Sequence, residues 1–86
     1  DLTAPMEFPE GYYSVKDTME DLAKNEEALA LAAKAVKLAT NFDIKPGVGM
    51  WDMMKKMTPE AMSNMISGMP EGFIESLNAQ LIKVKK

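Results

Sequence analysis

Seven of the chain's nine methionines stand within twenty residues, MWDMMKKMTPEAMSNMISGM, positions 50–69. Thioethers are the donors that soft copper(I) accepts. They are also flexible fillers of irregular cores and adaptable grips for apolar partners. Met50, Met53, Met54 and Met57 fall at i, i+3, i+4 and i+7, which is one face of a helix, and Met62, Met65 and Met69 repeat that spacing. An amphipathic helix presents its core face in the same way, here with Asp52, Lys55 and Lys56 on the other side. Two short helices facing inward are therefore the first expectation, an adaptable binding surface the second, and copper(I) the third. Trp51 reads first as a core anchor in contact with sulfur and second as an exposed hot spot. These eight residues, Trp51, Met50, Met53, Met54, Met57, Met62, Met65 and Met69, form the candidate interaction surface. No metal site and no cofactor is assigned.

Other chemistry is scarce. The chain has no histidine and no cysteine, so the commonest general base and the best nucleophile are both missing. Ser14, Ser63, Ser67 and Ser76 have no histidine to activate them. Glu20 with Asp21, and Glu26 with Glu27, are sequence neighbours whose side chains diverge around a helix, so each pair caps and solvates a helix start rather than sharing a proton. Calcium needs clustered oxygen ligands, and Asp43 is the one acid in the 41–49 loop. Zinc lacks its usual nitrogen and sulfur ligands. No catalytic residue is expected, and the chain is not expected to be an enzyme by itself.

Composition narrows the partners. Ten lysines and no arginine face thirteen acids, for a net charge of −3. Without arginine the chain lacks the side chain best suited to bidentate phosphate recognition, and no nucleic-acid partner is expected. The longest run without a charged residue, Ala61–Pro70, is far shorter than the ~20 apolar residues of a membrane helix, so no membrane span is expected. With 86 residues there is room for one domain, and a chain of this size buries only about 60 % of its unfolded surface. The opening Asp1-Leu2-Thr3, with neither an initiator methionine nor a signal-peptide pattern, leads us to expect a segment of a longer polypeptide.

The elements that position the methionines are legible in outline. Residues 1–16 carry two prolines, a Glu-Gly turn signal and three aromatics, which fits an extended arm pinned by Phe8, Tyr12 and Tyr13. A helical domain follows over 17–86. Thr18 and Asp21 mark the cap of a first helix over about 19–24, and Asn25 caps a second that runs to about Thr40. Polar residues of that second helix are largely confined to the stripe Glu27, Lys34, Lys37 and Asn41, so it should be central. Pro46-Gly47 fits a type II turn. A third helix is expected over about 50–57, and a fourth starts at Thr58-Pro59 and closes at Gly68. A fifth begins at Met69-Pro70, has Phe73, Ile74, Leu77 and Leu81 on its apolar face, and ends in a solvated KVKK tail. The class is all-α, a compact array of about five short helices with an extended N-terminal arm.

Taken in order, YYSVKDTMEDLAKNEEALALAAKAV, a Pro-Gly loop and MWDMMKKMTPEAMSNMISGMPEGFIESLNAQL carry three short motifs. These are D-T-x-x-D-L at Asp17–Leu22, M-T-x-x-x-M at Met57–Met62 and L-N-x-x-L at Leu77–Leu81. Over about residues 12–82 the pattern resembles a small helical module toward the C-terminal end of some bacterial family 3 glycoside hydrolases, the β-glucosidase-like enzymes, and of other carbohydrate-active proteins. The resemblance implies a non-catalytic accessory or protein-interaction module of a secreted or periplasmic enzyme. Its partners would be other domains of the parent protein. The alternative is a free-standing helical protein that binds an apolar peptide or helix through its methionines.

Overall fold

The structure is a computed structural model that describes residues 6–66 and 68–86; the first five residues of the expected arm, and Ser67, lie outside them. Among the described residues the chain forms five helices: α1 (Met19–Leu22), α2 (Glu26–Thr40), α3 (Trp51–Met54), α4 (Pro59–Met65) and α5 (Phe73–Leu81). Beyond a single isolated bridge between Tyr12 and Lys85, no β pairing joins them. The fold is all-α.

The starts of α1, α2 and α4 are capped by side-chain oxygens, and α1 has tertiary partners as well. In α1 the three N–H groups of the first turn all find acceptors: Asp21 donates to Thr18 Oγ1 (3.2 Å), while Met19 and Glu20 donate to the carbonyls of Met57 (2.9 Å) and Lys55 (2.8 Å). The start of α1 is thus seated on the chain leaving α3, and one set of hydrogen bonds satisfies both free helix ends. Asn25 Oδ1 accepts from Glu27 and Ala28 at the start of α2. At the far end Asn41 takes the left-handed conformation (φ 63°) that short polar side chains tolerate. Thr58 Oγ1 accepts from Ala61, with Pro59 in the first turn of α4 where a missing N–H costs nothing.

The turn at Lys45–Val48 matches its expectation, with Val48 donating to Lys45 and Gly47 at φ 78°. A second Pro-Glu-Gly turn delays the last helix. Phe73 donates to Pro70 across Gly72 (φ 78°), so α5 begins at Phe73 rather than at Met69-Pro70. Three other helices end earlier than expected: α3 is one turn long instead of the two expected over 50–57, α1 stops at Leu22 rather than at about residue 24, and α4 stops at Met65, short of Gly68.

The core is built on α2 and α5. Ala28, Ala32 and Val36, at i, i+4 and i+8, form the buried stripe of α2, and Ile74, Leu77 and Leu81 that of α5. Met19 and Leu22 of α1 complete the centre. The α2 stripe is narrower than its composition predicts, because Leu38 stays exposed and Leu29 and Leu31 are only partly covered.

Residues on both sides of the helical array enter this core. Tyr13 and Val15 of the arm are buried, whereas Phe8 and Tyr12 are exposed. The tail is not simply solvated: Val84 is buried, Tyr13 N–H donates to its carbonyl (3.1 Å), and Lys86 N–H donates to that of Gly11 (2.9 Å). Asn78, 2 % exposed, accepts from Val15 N–H through Oδ1 (3.1 Å) and donates through Nδ2 to the Glu7 carbonyl (2.9 Å). The radius of gyration is 12.0 Å, matching the ~12 Å of a folded chain this long. The molecule measures 35 × 30 × 17 Å.

Candidate functional site: a methionine-lined groove

Between the end of α2 and the α3–α4 segment runs an open groove of about 370 Å³. Its walls are Met50, Met53, Met54, Met57, Met62 and Met65, joined by Val36, Thr40, Phe42 and Ile66. Six of the eight residues singled out by their spacing therefore meet on one surface. Among the described residues the lining has no charged side chain and one polar one, Thr40, whose hydroxyl donates to the Val36 carbonyl (2.8 Å) and is thereby already engaged.

The inward-facing expectation holds for part of the stretch and fails for the rest. Trp51 and Met54 are core, each 8 % exposed. Met57 and Met62 are half-buried, and Met50, Met53 and Met65 are exposed, at 49, 73 and 74 %. For Met50 and Met57 the reason is the length of α3. A helical stripe at i, i+3, i+4 and i+7 needs about two turns, but α3 supplies one. Met50 precedes it and Met57 follows it, beyond a bend whose carbonyls are committed to α1.

Two residues leave the predicted set. Trp51 anchors the core beneath α3 and takes no part in the groove. Met69 lies on a different and more polar cleft, with Met6, Phe73 and Ile74 among its neighbours. Val36, Thr40, Phe42 and Ile66 were missed by sequence reasoning. Phe42 carried a usable signal, as an aromatic in a loop next to the methionine run, whereas Val36 was absorbed into the apolar face of α2 and nothing distinguished Ile66.

Other chemistry is not assembled here. Among the described residues no three His, Cys, Asp or Glu side chains cluster as a metal site would require. Nor does any buried side-chain nitrogen or oxygen there stand without a hydrogen-bond partner. Ion pairs such as Lys37–Asp43 (3.2 Å) and Lys55–Asp52 (3.6 Å) are largely exposed and organise no charged pocket. What the groove offers is a deformable apolar surface: unbranched thioether side chains reshape readily and contact aromatic rings favourably. No helix of the described residues is long and apolar enough to cross a membrane. Against known protein families, curated proteins and solved structures, the chain finds no match.

Proposed function

We propose that the protein is a non-catalytic docking module that receives an apolar helix or peptide segment in its methionine-lined groove. The observation that carries this reading is the joining of six methionines with Val36, Phe42 and Ile66 in an open groove that no charged side chain among the described residues lines. Apolar surface held open in a small domain contributes nothing to folding, and contiguous exposed patches of this kind are used for association. Helix-in-groove recognition supplies the mode: an amphipathic helix lays its apolar face into a hydrophobic channel. Methionine suits a channel of this sort because it repacks around differing partners.

The resemblance to the helical modules of family 3 glycoside hydrolases gives the reading its setting. In that setting the occupant is an apolar segment of another domain of a bacterial carbohydrate-active enzyme, and the chemistry resides in that enzyme. The absence of histidine and cysteine supports a module without activity of its own.

The test is fluorescence anisotropy with a labelled, electrically neutral amphipathic peptide of Leu, Ala and Gln. Binding to the wild-type domain is expected to weaken at least about tenfold when Met53 and Met65 are both changed to lysine, a loss of ~1.4 kcal/mol or more. The melting temperature should hardly move, because both side chains are solvent-facing. Equal binding by the double variant would defeat the proposal.

A further inference from the structure

We propose that Met53 and Met65 are oxidation sites, and that their conversion to sulfoxide by a peroxide closes the groove to apolar partners. The consequence rests on the docking function proposed above; the choice of sites rests on geometry alone. Susceptibility of a methionine to oxidation follows its access to the oxidant. Here that access is sharply graded within one chain: Met53 of α3 and Met65 of α4 are the most exposed, Met50 less so, and Met54 and Met19 are buried. The two most accessible thioethers are thus both groove residues, and neither belongs to the buried cluster that holds the fold.

The reaction is self-contained with hydrogen peroxide as the co-reactant. A sulfur lone pair attacks one peroxide oxygen, the O–O bond breaks and an S–O bond forms. The displaced hydroxide takes the proton left on the transferred oxygen and departs as water. Sulfur is oxidised by two electrons and the peroxide is reduced by two. The product is a polar acceptor on a wall whose described residues offer almost nothing to pair with it: among them no side chain is charged, and the one hydroxyl, that of Thr40, is already hydrogen-bonded to the backbone. Exposed to water, a sulfoxide is well solvated. Covered by an apolar partner it loses that solvation without compensation, so the oxidised groove disfavours docking while the fold is untouched. Methionine sulfoxide reductases restore the thioether, which makes the change reversible.

The test is a hydrogen peroxide titration of the intact domain, read by fragment-resolved mass spectrometry, thermal melting and binding of the neutral Leu/Ala/Gln peptide. Sulfoxide is expected first at Met53 and Met65 while Met19 and Met54 remain unmodified. The melting temperature should hold through those first modifications, and peptide affinity should fall about tenfold or more. Reductase treatment should restore the affinity. In a Met53→Leu, Met65→Leu variant, similar in volume, peroxide should change peptide affinity by much less than in the wild type, each protein being compared with its own untreated affinity. Oxidation of Met19 and Met54 in step with the exposed pair, or a fall in melting temperature with the first modification, would overturn the site assignment. If the untreated protein fails to bind the peptide, the docking function falls and the gating falls with it, and the order of oxidation still decides the sites.

Discussion

Asn78 is the side chain on which the two ends of the chain meet. Almost fully buried in α5, it accepts from Val15 N–H and donates to the Glu7 carbonyl, so one amide satisfies two backbone groups of an arm with no regular structure of its own. Replacing it with alanine leaves the Val15 N–H buried without a partner, which costs about 1–3 kcal/mol, and also removes its packing. Asn78→Ala should therefore lower the unfolding free energy by roughly 2–3 kcal/mol in urea titration and raise amide exchange at Val15. Unchanged exchange there would show that the arm is held by something else. In the sequence Asn78 looked like a polar residue beside the Leu77 and Leu81 stripe. Its partners are more than sixty residues away, and helical periodicity carries no information about them. Trp51 was legible by contrast, since a large aromatic beside a methionine stripe has few stable places other than the core.

At the scale of elements, α2 was readable to the residue because every determinant is local: the Asn25 cap, the alanine-rich run and Asn41 in the left-handed region. Helix α3 was not. Its end is set by carbonyls of Lys55 and Met57 that turn to receive the first N–H groups of α1, a tertiary demand invisible in the methionine spacing. The tail was misjudged for a related reason, as its lysines hid Val84 and a backbone pairing with Tyr13. The close approach of α2 to its neighbours rests on alanines with no exposed surface. Ala32→Leu, despite leucine's good helix propensity, is expected to destabilise by about 1–3 kcal/mol through overpacking. A melting temperature equal to or above wild type would mean that α2 has room the structure does not show.

For the whole molecule the governing fact is incomplete cover. Met50, Met53, Met65, Ile66 and Phe42 are among the apolar side chains left exposed, and they collect where the end of α2 meets the α3–α4 segment. Six of the methionines that line the groove were recognisable from their spacing, but their exposure was not, because it depends on helix length and on how the layers close. Folding itself needs the centre built from Met19, Leu22, Leu77, Leu81 and Val15, none of which touches the groove except through the shared frame. The central claim is that the exposed and half-buried groove methionines serve association, while Met19 and Met54, buried in the core, serve folding. It is tested most directly by the NMR spectrum of ε-¹³C-methyl methionine in the intact domain, titrated with the neutral amphipathic peptide. Methyl signals of Met50, Met53, Met57, Met62 and Met65 should shift with peptide concentration, whereas those of Met19 and Met6 should stay in place. A spectrum that does not respond, or one in which Met19 moves as far as Met53, would contradict the assignment of the groove as a docking surface.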